Sequence, residues 1–409
     1  MDLLTPKLSR LLKARWLIGF AAIFAVLCAS MLVLEFTNRY NGGIWLRDFQ
    51  VFYRAGGRII AGEDLFRPVR DGYYSYKYSP TAAIAFIPFS LIPFQAAEVV
   101  YWLFVSAMVI AGFYLSLAII YPDFRNADPK KFNLLLIAAA LILGVHIWSE
   151  LTLGQVNHLL LVMYLAIAWL FTKQKPLLLA FIWAFSLFFK PFSLIFLPYL
   201  ILRKRYREVA YFIGFSALLF ILPVIFYGGR FLDQQRIWIS EISLELGSKG
   251  NLFQPGNHTL VSFIAQHSPL SSLDPGSGYL TIYKIMVISM VGLLALLVVR
   301  KGNGVQHGEA LDFAFLLALT PLLSYTSNNA FGLVELAVFL LLFNFTKLKT
   351  WEKITAGVGF VLIGGNFYNQ LPYDWGVSFY KYYDSISLLT IGTIMLLVSV
   401  VMMRWRATL

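Results

Sequence analysis

The stretch WLIGFAAIFAVLCASMLVLEF, Trp16–Phe36, carries one charge in about 21 residues, the length at which a helix crosses the hydrocarbon of a bilayer. Runs of the same kind recur to the C-terminus. The 409 residues are 59% hydrophobic and 13% charged, where a soluble chain carries roughly a quarter charged residues. A backbone in hydrocarbon must satisfy its own hydrogen bonds, and long uninterrupted apolar runs do so as helices. The fold class read from this is an all-α polytopic membrane protein, a single integral-membrane domain over 1–409. The first run is long for a leader peptide and has no clean small-residue cleavage site after it, so it is expected to remain as a span. Cys28, the single cysteine, lies inside it, which leaves no intrachain disulfide.

The net charge of +12 does not point to nucleic acid. The basic residues fall mainly in short loops between apolar runs, the distribution that orients a membrane protein. Lys7, Arg10, Lys13 and Arg15 place the N-terminus in the cytoplasm, and the clusters at Arg125, Lys173, Arg203–Arg207, Arg300, Lys347 and Arg404 should share that side. Parity then requires that one of the two apolar stretches between Asp48 and Arg125 does not cross. Pro80–Pro93 is short and contains Pro88, so it reads as a re-entrant or interfacial helix on the outer face, with Ala96–Ile120 as the span. Leu177–Phe189 and Phe192–Leu202 read as two short spans. About twelve transmembrane helices result, with both termini inside. The outer loops fall at about 37–79 and 228–278, and the outer face carries juxtamembrane helices as well.

Directly after the first span comes RDFQVFYRAGGRIIAG, Arg47–Gly62. Asp48 there would sit where a lipid phosphate meets water, among Arg47, Arg54, Arg58 and Arg67. An acid among cations suggests a base acting on a substrate hydroxyl while the cations hold an anionic leaving group. Asp48 is equally a favoured cap for the helix that RDFQV opens. Nearby arginines should hold its carboxyl at or below the ordinary value near 3.9. Arg54 and Arg58, four apart, share one helix face and serve either as anion ligands or as cations snorkelling to headgroups.

Lys190 interrupts the apolar SLFFKPFSL, where an ammonium needs a partner or a function, and Pro191 breaks the helix beside it. Gln155 and Asn157 in LGQVN could hydrogen-bond a ligand, or serve only as turn residues; His158 follows them. Asn257 and His258 come after a Pro-Gly turn and are candidate ligand contacts. Asn328 and Asn329 lie in SYTSNNAF. Glu335 enters the next span and reads either as a substrate ligand or as a structural partner of Lys190. Glu150, near an outer helix end, is a minor candidate.

Four stretches carry a family resemblance: DFQVFYRAGGRIIAGEDLF (48–66), YKYSPTAAIAFIPFSLIP (76–93), LGQVNHLLLVMYLAIAWL (153–170) and FFKPFSLIFLPYLILRKRYR (188–207). Together they resemble the GT-C architecture and, within it, glycosyltransferase family 87, the polyprenol-phosphate-mannose-dependent mannosyltransferases. Gly256–Thr259 and Ser324–Asn329 are looser echoes. The second departs from the tryptophan and histidine often found there.

The resemblance implies inverting transfer of a sugar, mannose at the family level, from a polyprenyl-phosphate-linked donor to a glycolipid or polysaccharide acceptor on the outer face of the cytoplasmic membrane. It implies Asp48 as general base, Lys190, Arg47, Arg54 and Arg58 on the donor phosphate, and Gln155, Asn157, Asn257, His258, Asn328, Asn329 and Glu335 toward sugar or acceptor. A lipid phosphate is already a good leaving group, and the first outer loop has no paired DxD, so a metal-independent site with no cofactor is expected. A transporter or lipid flippase is the alternative, since it too would show broken helices and buried charges. Against it, no internal repeat is visible and the polar elaboration lies on one face.

Overall fold

The apolar runs fold as helices because each such run can satisfy its backbone only internally. The computed structural model describes residues 16–40, 46–124, 128–247, 257–269, 278–300, 308–323, 328–367 and 373–406, and no strand occurs among them. α1 (Trp16–Tyr40) is followed by the amphipathic α2 (Arg47–Ile60) and a loop bearing α3 (Pro68–Asp71). Two short helices, α4 (Pro80–Ala85) and α5 (Ile87–Ser90), precede α6 (Phe94–Ile120), α7 (Pro129–Leu153), α8 (Asn157–Thr172) and α9 (Pro176–Leu187). After a 3-10 segment at Pro191–Ile195 come α10 (Phe196–Leu202), α11 (Tyr206–Ile221), α12 (Val224–Tyr227), α13 (Phe231–Gly247) and α14 (Leu260–Gln266). α15 (Gly278–Arg300), α16 (Gly308–Leu323), a 3-10 segment at Asn328–Val334, α17 (Glu335–Phe343), α18 (Thr350–Gly364), α19 (Tyr373–Ser385) and α20 (Leu388–Arg406) complete the described elements.

Four stretches among the described residues are long and apolar enough to cross a membrane: Phe94–Ile120, Lys130–Leu153, Tyr206–Ile242 and Leu388–Arg406. The chain is a helical membrane protein. Shorter apolar helices, such as Asn157–Thr172 and Pro176–Leu187, pack among them.

Ring contacts fix which helix ends share a face. Phe20, early in α1, meets Tyr114 late in α6 and Phe132 early in α7. Phe113 meets Phe339 and Tyr121 meets Phe343, so α6 and α17 run parallel. At the end where α6 and α10 finish, Asp312 of α16 is buried between Arg404 of α20, at 2.8 Å, and Arg203, with the Tyr199 hydroxyl at 3.3 Å. One carboxylate thereby ties α10, α16 and α20 together.

The other end carries α2. The Pro80–Pro93 stretch stays entirely there and does not traverse the bundle. Ser79 N–H donates to Phe188 O at 3.2 Å, Thr81 Oγ1 to Leu219 O at 2.7 Å, and Ile92 O accepts from the Tyr53 hydroxyl at 2.9 Å. Helices of six and four residues are far too short to cross. Where one re-entrant or interfacial helix was expected, two short helices lie at this end of the bundle. α13 returns along the same end, where Trp238 stacks on Phe188 and Gln234 bonds Asp64 and Leu65 N.

Candidate active site

α2 is positioned by its apolar face. Phe49, Phe52, Ala55, Gly56 and Ile59 are buried at the three- and four-residue spacings that make one helical stripe. Phe49 stacks on Tyr101 of α6 at 4.1 Å and Phe52 on Phe86 at 4.7 Å. Gly56 packs so closely that a Cβ there would lie 2.7 Å from Phe86 O. Leu46, at φ 52°, turns the chain into the helix, and its N–H donates to Thr152 O at 3.2 Å. The first turn of α2 is thus fastened to the end of α7.

Asp48 is the second residue of α2, and no side-chain bond caps this helix. The capping expectation is overturned, although a carboxylate in the first turn still suits the helix dipole. Its oxygen Oδ2 instead accepts from Gln155 Nε2. A second expectation also fails. Burial pushes the Asp48 carboxyl above its ordinary value, and the opposing pull of the Gln155 bond and of Lys190, Arg47 and Lys77 does not cancel it. The charges were legible in the sequence, but the half-buried setting was not.

Gln155 reaches Asp48 from the turn between α7 and α8. That turn is made by Gly154 in the left-handed region at φ 69°, where glycine escapes the Cβ clash. A Cβ on Gly154 would also lie 2.9 Å from Phe49 Cβ and 3.0 Å from Leu46 Cδ2. The Tyr101 hydroxyl donates to Gln155 O at 3.1 Å. Just beyond, Asn157 Nδ2 and His158 N each donate to the buried Glu150 carboxylate at 3.0 Å. Asn157 Oδ1 accepts from Lys190 Nζ at 2.7 Å. Lys190 sits in extended backbone between α9 and the 3-10 turn that Pro191 opens, with Nζ 5.6 Å from the centre of the Phe192 ring.

Four of the sequence candidates, Asp48, Gln155, Asn157 and Lys190, therefore converge. Arg47 and Arg54 lie exposed on α2, Arg47 at 3.2 Å from the Tyr74 hydroxyl. Arg58 does not face the cluster as a phosphate ligand. Its guanidinium grips Asp71 through two bonds, at 2.6 and 2.7 Å, and Leu65 O at 3.2 Å, clamping the loop after α2.

Glu335 accepts from Ser116 Oγ at 2.9 Å deep in the bundle, so the expected pairing with Lys190 does not form. Asn257 Oδ1 accepts from Thr259 N and Oγ1, and His258 Nε2 lies 3.1 Å from Asp384. These two belong to a neighbouring cluster, joined through Phe331, which meets both the His258 and His146 rings. Asn328 and Asn329 open the 3-10 segment, and their side chains lie outside the described residues. Sequence reasoning passed over Lys77 and Tyr101 and ranked Glu150 low. A carboxylate four positions before a helix-ending glycine was the available signal for Glu150.

The family model of glycosyltransferase family 87 matches residues 76–326, more than half of the chain. The chain belongs to glycosyltransferase family 87. The matched region of this glycosyltransferase includes Gln155, Asn157, Lys190, Asn257 and His258 and begins after Asp48, so the carboxylate's place in the site rests on the contacts above. No match is found among curated proteins or among solved structures. Membership decides for a transferase over a transporter.

Proposed function

We propose that the enzyme transfers a sugar, mannose being the first candidate, from a polyprenyl-phosphate donor to a glycolipid or polysaccharide acceptor, with inversion and without a metal. Asp48 is the general base. As the acceptor oxygen bonds to the anomeric carbon, its proton passes to Asp48, and the bond from that carbon to the phosphate oxygen breaks on the opposite face. The electron pair leaves with the polyprenyl phosphate, whose charge is met by Lys190, with Arg47 and Arg54 at the rim. Gln155 holds Asp48 Oδ2 and so leaves Oδ1 for the proton. Burial raises the basicity of Asp48, which favours the transfer.

The observation that carries this reading is the convergence of one half-buried carboxylate and one ammonium on the two polar residues of a single turn, Gln155 and Asn157. The same end would face the outside of the cytoplasmic membrane, with both termini inside. In that orientation cysteines introduced at 203–207 stay shielded from impermeant reagent while one at 70 is labelled.

The test is transfer of radiolabelled sugar from a polyprenyl-phosphate sugar by the purified protein. Asp48→Asn retains shape and should lose roughly two to four orders of magnitude in turnover, the usual worth of such a base, and Asp48→Glu should recover little. Near-normal turnover by a folded D48N protein would remove Asp48 from the chemistry.

A further inference from the structure

Glu150 is buried at the end of α7 and touches neither Asp48 nor Lys190 by any hydrogen bond described above, yet both are linked to it. Its backbone carbonyl accepts from Gly154 N at 2.8 Å and Gln155 N at 3.4 Å, which sets the turn that carries Gln155 to Asp48. Its carboxylate accepts from His158 N, closing an α8 terminus that Val156 cannot cap, and from Asn157 Nδ2. An ionised carboxylate offers only acceptors, and both groups that face this one are N–H donors. The amide of Asn157 must therefore turn its NH2 toward Glu150, and its carbonyl oxygen is left facing the ammonium of Lys190. With the amide reversed, two N–H donors would point at a cation.

We propose that Glu150 is a positioning residue for the transfer: by fixing the orientation of Asn157 it aims Lys190 at the donor phosphate. The inference rests on the reading of Lys190 as the phosphate ligand. A plain helix cap would need only the bond to His158 N, and the two roles separate by substitution. In E150Q the new carboxamide still has one oxygen for His158 N, so the cap survives. Its NH2 then faces the NH2 of Asn157, which must reverse and present donors to Lys190. In E150Q/N157D the acid and the amide have exchanged places. The carboxylate introduced at 157 accepts from the carboxamide on one side and from Lys190 on the other, and the net charge is unchanged.

The experiment measures binding of a polyprenyl phosphate, and donor KM, for the full-length protein in nanodiscs. E150Q should unfold near the wild-type temperature while binding about ten- to a hundredfold more weakly, the loss expected when a charge-assisted bond is replaced by opposed donors. E150Q/N157D should return to near the wild-type affinity. Wild-type affinity in E150Q overturns the proposal, as does a loss that N157D leaves unrepaired. If E150Q does not fold, N157L keeps the cap on His158 N and cuts the link to Lys190. It should show the same loss, and wild-type affinity in N157L overturns the proposal. Failure of the underlying reading looks different. A wild-type protein that does not bind polyprenyl phosphate removes Lys190 from the phosphate altogether, whereas wild-type binding with no loss in E150Q removes only the role of Glu150.

Discussion

Gly154→Ala tests whether the seam between α2 and the α7–α8 turn sets the geometry of the site. An alanine at φ 69° costs about 1–2 kcal/mol in left-handed backbone. Its Cβ would stand 2.9 Å from Phe49 Cβ and 3.0 Å from Leu46 Cδ2, whereas carbon atoms pack at about 3.5–4.0 Å. Relieving that overlap requires Phe49 to retreat by roughly 0.6 Å or more, and overpacking of this kind adds about 1–3 kcal/mol. Asp48 is the adjacent residue and moves with it, away from Gln155. A misplacement of about 1 Å can cost about a hundredfold in rate, so a retreat of this size should lower turnover by about tenfold or more. Gly144, in the middle of α7, is the control, since a Cβ there meets nothing within 4 Å. Gly144→Ala should leave turnover unchanged and hold or raise the unfolding temperature, because alanine is the better helix former by about 1 kcal/mol. The assay is sugar transfer per folded enzyme, alongside thermal unfolding in the same detergent. If G154A matches G144A in both, the close approach of α2 does not position the carboxylate.

Three further outcomes follow from the same contacts. Because burial holds the Asp48 carboxyl above its ordinary value, turnover should fall with decreasing pH before the ordinary aspartate range is reached. The same group, raised on folding, favours the folded state as pH falls through its folded value, so activity and this stability contribution move in opposite directions; a rate flat down to pH 4 contradicts the assignment. Arg58 holds the Asp71 carboxyl below its usual range, so that pair stabilises the loop above the unfolded aspartate pKa and lets go as pH falls through the lowered one. Asp71→Asn should increase hydrogen exchange across 61–79 by an amount equivalent to about 1–2 kcal/mol, and unchanged protection there would show that other contacts hold the loop. Asp312→Ala leaves Arg203 and Arg404 facing each other without their carboxylate and should lower stability by about 3–5 kcal/mol, read as a large drop in unfolding temperature with no change in donor KM among molecules still folded.

The long apolar helices and α2 were legible because their signals are local. Apolar length marks α6 and α7, and Phe49, Phe52, Ala55 and Ile59 fall on one face by spacing alone. Proline at 88 and 93 marked the stretch that stays at one end. Asp48, Gln155, Asn157 and Lys190 could be singled out one at a time, since each is polar where the surroundings are not. Their meeting could not be read, because Asp48 and Gln155 are 107 positions apart and Asn157 and Lys190 are 33 apart. The same limit explains the errors. Arg58 has Asp71 as partner and Glu335 has Ser116, both chosen by how the chain returns on itself. The direction in which Asp48 is shifted depends on burial, which no spacing reports.

The fastening of α2 to residues made much later has a consequence for biogenesis. Lys190 follows Asp48 by roughly 140 residues, so at about 5–20 residues per second it is made about 7–28 s later, long after Arg47 and Lys77. During that interval α2 has an apolar face of phenylalanines and a basic rim, the make-up of a helix that rests on the membrane surface. Phe86 and Tyr101 are made first and can receive Phe52 and Phe49, the Gly154 turn follows to close on Phe49 and Leu46, and the Lys190 ammonium arrives last. A ribosome stalled between the last two events would carry a seated Asp48 still lacking Lys190, so the site is completed in a fixed order during translation.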